Sequence, residues 1–384
     1  MLLRKSAPFL FFSLLLFSCV EVYDIRYNLN ADVLTVDGFV TNERGLNVNL
    51  RLSRSTGRDY YSQPLRDCVV EVKVGDGSII TLKEFSSGVY VAPENFQGQA
   101  GQTYQLHFKT PEGKEYESAT ERLSAAPPIA KLYHQFNKNG FLNQTGKQVT
   151  YSALEVYADF NDPKDEQNYY LWRWMDFEEQ GICATCEGGK LDSKTFQCIP
   201  ERNSRITYDY KCEKACWEIY FSNDVNVFSD IYTNGRTVTA RQVAKIPFYS
   251  TGAGFGNQAA LVEIQQYSIS ANAYEYYKLL RDQTQNTGNL TDTPPAAIIG
   301  NIRNVSDATE KVVGFFGAMG VSKSRIFIDK RPYNGAYKYL MLGRDPNLEP
   351  DSQPMPPLFE LRPPMAPCVM SANRTPLRPE GWGL

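Results

Sequence analysis

The chain has 384 residues, 42% hydrophobic and 22% charged, which is too long for one small module and too apolar for a disordered polymer. Its 40 basic and 43 acidic residues give a formal charge of -3 with no basic block of five or more, so the electrostatic footprint of a nucleic-acid binder is missing. An aromatic set of 24 Tyr and 21 Phe against 7 Met favours half-buried pleated surface over packed helix, and His107 and His134 alone cannot furnish a His-rich metal cage.

Residues 1–18 read as an export signal: basic Arg4 and Lys5, an apolar run from Ala7 to Phe17, then Ser18 before Cys19. The run is about ten apolar residues, half of what a spanning helix needs. Leu16-Phe17-Ser18-Cys19 resembles the bacterial lipobox, in which the Cys is acylated and becomes the mature N-terminus, so Cys19 is the expected lipidation site. Removing the signal leaves an acidic body, held at a membrane surface by acyl chains that contribute about 0.8 kcal/mol per buried methylene. No later stretch reaches 18 apolar residues, and residues 19–33, without clear period, form a tether.

From residue 34 to 124 the pattern is that of strands cut by turns. Val48, Leu50 and Leu52 alternate with Asn49 and Arg51, and Val70, Val72 and Val74 with Glu71 and Lys73. Turn chemistry sits at Asp76-Gly77, Ser87-Gly88 and Pro111-Glu112-Gly113. An Ig-like or transthyretin-like β-sandwich fits, with Tyr104, Leu106 and Phe108 inward and His107 a solvated strand residue. Ala125-Ala126-Pro127-Pro128 is a stiff link, and a second β-rich domain is expected over 129–344. Ala153–Phe160 and Asn168–Trp174 read as strands of it. Ser270–Asp282 is a short helix, capped by Ser270, with Ala273, Tyr276, Tyr277 and Leu280 on one face. Gly252–Gly256 and Asn286–Pro295 are loops, and Val312–Phe316 and Arg325–Ile328 are a closing pair of strands. The Pro-dense tail, 345–384, reads as extended coil over the surface.

Seven cysteines follow Cys19, five of them within 34 residues. Cys183-Ala-Thr-Cys186 followed by Cys212 and Cys216 can be written as a zinc ribbon or a redox pair. In an exported chain, however, thiols oxidise and disulfides persist, and the acidic, Gly-rich surroundings of Cys183 and Cys186 would raise a thiol pKa rather than lower it. Cys183, Cys186, Cys198, Cys212, Cys216 and Cys368 are therefore the disulfide candidates, with Cys68 the odd buried thiol. Three bridges would staple an insert, residues 178–216, that is too small to build its own core. Spacing leaves the connectivity open.

Nucleophile elbows, His-Glu-x-x-His, P-loops and a properly spaced dinucleotide fingerprint are all missing. No catalytic residue, cofactor or metal is expected from the sequence, and an enzyme is disfavoured. Tyr60-Tyr61 and Trp172/Trp174 are the aromatics that could stack on a sugar.

Val36-Asp-Gly38 with Thr41-Asn42, Leu52–Ser55, Gly88-Val-Tyr90, Gly101–Tyr104, Asp162-Pro163 with Tyr169-Tyr170, Cys216-Trp217, Pro295–Ile302 and Val313–Ala318 occur here in one order and spacing. In this the chain resembles the Bacteroidota outer-membrane lipoproteins that carry a domain of unknown function and are encoded beside SusC-like TonB-dependent transporters. Glu21 and Asp24 resemble a sparse version of the surface-export signal of such lipoproteins. The tail departs from that pattern: Cys368-Val-Met-Ser371 keeps one Cys of a Cys-x-x-Cys run, which leaves Cys368 free to pair with the central cluster. The resemblance implies a surface-facing outer-membrane lipoprotein, an accessory or lid subunit of an outer-membrane β-barrel such as a TonB-dependent transporter or the barrel-assembly machinery. A stand-alone glycan- or peptide-binding lipoprotein is the reading from another class.

Overall fold

The computed structural model describes residues 33–44, 49–55, 62–142, 150–164, 166–192, 194–202, 205–250, 258–285, 298–333, 338–339, 347–348 and 365–383. Cys19, the export signal, Tyr60-Tyr61, the Gly252–Gly256 loop and the Asn286–Pro295 loop lie outside these residues. The protein is mostly β, built of several sheets with one short helix, and no helix among the described residues is long and apolar enough to cross a membrane.

The first body is a strongly curved antiparallel sheet. Val33–Thr41 pairs with Asn49–Ser55, and the path continues through Val89–Val91, Ile79–Ser86, Val69–Val74, Thr103–Lys109 and Glu115–Ser118 to Ile302–Asn304. Period-two alternation sends Val70, Val72, Tyr104, Leu106 and Phe108 inward, where they pack with Val36, Val40, Tyr90, Tyr116 and Phe316. His107, on the opposite face, is half-buried rather than fully solvated, 4.0 Å from Glu115. Cys68 is buried at the foot of its strand and free, and its backbone N–H donates to the Tyr90 hydroxyl at 3.0 Å.

The second body is two facing sheets. One contains Val312–Asp329, Ala259–Ile269, Tyr169–Glu179 and Trp217–Phe221; the other is Ile129–Leu142, Thr150–Asn161 and Thr237–Pro247. Tyr170, Trp172 and Trp174 point between them, against Val156, Phe160, Ile246 and Phe248. Trp172 and Trp174 are thus 1% and 3% exposed, core residues and not sugar platforms, because both faces of their strand are covered. On the outer face Leu171, Tyr267 and Phe315 are roofed by the helix Ala271–Thr284 through Ala273 and Tyr277. The Ser270 hydroxyl caps that helix, accepting from Ala273 N at 3.1 Å.

Where two closing strands were expected there is one of 18 residues, Val312–Asp329. Its first half runs parallel to Val33–Thr41 and its second half antiparallel to Ala259–Ile269, so a single strand belongs to both bodies. The glycines of this strand admit close backbone: a Cβ on Gly314, at φ +110°, would stand 1.8 Å from the Val36 carbonyl oxygen. Ile302–Asn304 likewise returns to the first body, and the chain pairing therefore crosses the Pro127-Pro128 link twice.

Candidate functional site

Beyond the Tyr169–Glu179 strand the chain leaves the sheet to form an insert of two small ladders. Ile182–Glu187 pairs with Thr207–Lys211, and Gly189–Leu191 with Cys198–Pro200. Its interior is little more than sulfur: Cys183, Cys186 and Cys216 with Leu191, Tyr210 and Ala366. The connectivity is Cys183–Cys212, Cys186–Cys198 and Cys216–Cys368. The sulfurs of Cys183, Cys212 and Cys216 converge within 4.8 Å, but each is bonded to another sulfur, which leaves no thiolate to hold a metal.

Residues 365–383 do more than lie over the surface as coil. Ala366 exchanges backbone hydrogen bonds with the Lys211–Glu213 stretch, and Arg374–Thr375 adds a short rung to Trp217–Phe221. The Arg374 guanidinium donates to Glu218 at 2.8 Å and to the Cys183 carbonyl at 2.9 Å. Trp382 packs edge-on against Trp217 and Phe327. With so small a core, the insert leaves apolar side chains in water: Phe196, Ile199 and Ile206 are 46%, 52% and 51% exposed, and Val369 and Met370 of the clamped tail are exposed as well.

Two carboxyl pairs occur inside the second body. Asp176 and Glu178 project into its core beside Lys330, whose Nζ donates to Glu178 Oε1 at 2.7 Å. No donor reaches either Asp176 oxygen or Glu178 Oε2. Burial first, then the charge of Glu178, pushes the Asp176 carboxyl well above the ordinary range. The second pair is Asp162 and Asp230, where Tyr170 donates to Asp162 at 2.5 Å and Gly235 N at 3.0 Å. Burial, opposed by those bonds and supported by the Asp230 charge, raises Asp162 too. Each of these four residues is at most 6% exposed, so they sit in the packing and not in a cleft.

An open groove of about 560 Å³ lies where the two bodies meet. Its lining comes from Val33–Thr41, Tyr169–Glu179, Ala259–Ile269 and the helix, and includes Asp37, Phe39, Arg173, Tyr267 and Tyr276. No sequence pattern marked it, since its lining residues are over two hundred positions apart. A second depression, about 450 Å³, is bounded by Gln180, Phe327 and Trp382, and its Arg331 is already held by both oxygens of Asp329.

A family model described as a domain of unknown function (DUF4249) matches residues 20–325. No curated protein matches the chain. Among solved structures, a DUF4785 family protein from Legionella pneumophila is similar over 60% of this chain at 10% identity, with a TM-score of 0.16, and the match spans 51% of that protein.

Proposed function

The chain belongs to the DUF4249 family, a domain of unknown function, and from that premise we propose that it is a non-enzymatic, lipid-anchored accessory subunit of an outer-membrane β-barrel. In this reading acyl chains on Cys19 hold the body at the cell-surface face of the outer membrane, and the stapled insert docks on the barrel. A SusC-like TonB-dependent transporter is the partner that the sequence resemblance favours, with the barrel-assembly machinery as the other barrel complex it could serve.

The observation that supports docking is the insert itself. Three disulfides immobilise a segment with almost no core, and that segment presents Phe196, Ile199 and Ile206 to solvent. Rigid apolar side chains held outward lose little entropy on binding and gain from desolvation. A lipid tether raises the effective concentration at a membrane partner, so a modest interface suffices.

The test is purification of the tagged, acylated protein from its native outer membrane in mild detergent, with identification of whatever accompanies it. A stoichiometric β-barrel is expected, and its identity names the machine. Phe196→Ser, Ile199→Ser and Ile206→Ser combined should lose the barrel while the protein stays membrane-bound, and Cys19→Ala should release the protein from the membrane. Recovery of the lipoprotein alone, under conditions that keep other outer-membrane complexes intact, would overturn the reading.

A further inference from the structure

Arg173 is the most unusual residue of the groove between the two bodies. It lies on Tyr169–Glu179, opposite Gln265, and its guanidinium carbon stands 5.1 Å from the Phe39 ring centre and 5.9 Å from that of Tyr267. Aromatic contacts of this kind orient the guanidinium plane, and what remains for bonding is its N–H edge. Among the described residues that edge has no hydrogen-bond or ion-pair partner.

Nearby carboxylates do not satisfy it. Glu43 is paired with Lys323, and Glu263 with Arg325 and Lys323. Asp37 and Asp224 line the same groove yet neither comes within ion-pairing distance of Arg173. The Tyr267 hydroxyl donates to Gln265 at 2.7 Å. Arg173 is half-buried on the wall of an open groove, so its fork is within reach of a ligand's acceptor atoms.

We propose that this groove binds a carboxylate-bearing sugar of about disaccharide size. The carboxylate seats on the Arg173 fork, whose spacing matches two carboxylate oxygens. The sugar ring lies against Tyr276 on the helix side of the groove, and Asp37 accepts from ring hydroxyls. The volume is within the range of small-molecule sites, roughly 300–1,000 Å³. This inference is independent of the docking reading, because it uses none of the insert and is tested without a membrane partner.

The experiment is titration of the acylated protein in detergent with digalacturonate, with its neutral dimethyl ester, and with an N-acetylated aromatic dipeptide bearing a free carboxylate, followed by calorimetry. Saturable binding of digalacturonate is expected, at least tenfold weaker for the ester and at least tenfold weaker in Arg173→Lys, which keeps the charge over the rings but not the fork. Should Arg173→Lys fail to fold, Tyr276→Leu, which keeps an apolar side chain against Phe315 but removes the ring, is the second variant, with the same expected weakening. No binding of digalacturonate, equal binding of acid and ester, unchanged affinity in a folded variant, or binding of the dipeptide alone would each overturn the proposal.

Discussion

Asp176, Glu178 and Lys330 are three ionisable side chains buried beside a core made largely of aromatic and aliphatic residues. Two carboxylates against one ammonium leave an excess charge that a low-dielectric interior does not tolerate, and a retained proton on Asp176 removes it. A carboxyl whose folded pKa lies above its unfolded one binds its proton more tightly in the folded state. Its contribution to stability is therefore whole below the ordinary carboxylate value of about 4 and declines as pH rises through the raised value. Asp176→Asn keeps a donor for Glu178 without the titrating proton. Relative to wild type it should gain stability as pH rises toward 8, because the wild-type carboxyl loses the proton that the fold favours. At pH 5 the gain should be smaller. Thermal melts across that range check this, and a difference that does not change with pH would show that Asp176 does not titrate there. The sequence carried no sign of this pair, since Asp176 and Glu178 looked like any acidic surface until the second sheet covered their side of the strand.

At the scale of elements, the insert and tail show what disulfides do where a core cannot form. The Cys216–Cys368 bridge joins positions 152 residues apart, against 29 for Cys183–Cys212 and 12 for Cys186–Cys198. In the chain-entropy description these separations correspond to roughly 5, 3.6 and 2.8 kcal/mol of stabilisation. Paired Cys→Ser substitutions should lower the denaturant midpoint in that order. Cys216→Ser with Cys368→Ser should also expose residues 365–383 to protease, because only non-covalent ties then remain: the Ala366 backbone bonds, a two-residue ladder, the Arg374 bonds and the packing of Trp382. Equal effects from all three would mean that native contacts, not loop closure, set the stability of the insert. That cysteines would bridge was readable from their number and clustering; which ones meet was not, because pairing is decided by how the tail folds back beside Lys211.

For the whole molecule, the joint between the two bodies explains why scattered sequence fragments belong together. Gly300, Asn301, Gly314, Val36 and Asn42 come from segments up to 278 positions apart and meet there. The Asn301 side chain takes the place of a strand, donating to the Phe316 carbonyl at 2.8 Å and accepting from Phe316 N at 3.0 Å. Asn42 does the same for Val321, with bonds of 3.3 and 2.6 Å. Because a Cβ at Gly314 would overlap the Val36 carbonyl and its φ is positive, Gly314→Ala should destabilise the fold by at least about 3 kcal/mol, strain and overpacking together. Hydrogen exchange should rise in both bodies, as they share the strand. Protection lost from the first body alone would show that the second does not depend on the joint.

The sequence by itself determined the class of the fold, the alternation of the strands, the helix at Ser270 and its cap, and the set of cysteines available for bridging. All of these are set by nearest neighbours or by simple periodicity: side chains alternate every two residues in strands and recur every three to four in helices, whatever lies far away. Only the tertiary structure decided that one strand serves two bodies, that Trp172 and Trp174 are core, that the Asp176 carboxyl is buried and pushed up beside Glu178, and that Arg173 faces a groove with no hydrogen-bond or ion-pair partner among the described residues. Each of those depends on which surface covers a given face, and that is settled by pairings between residues far apart in the chain, for which a single sequence carries no local signal.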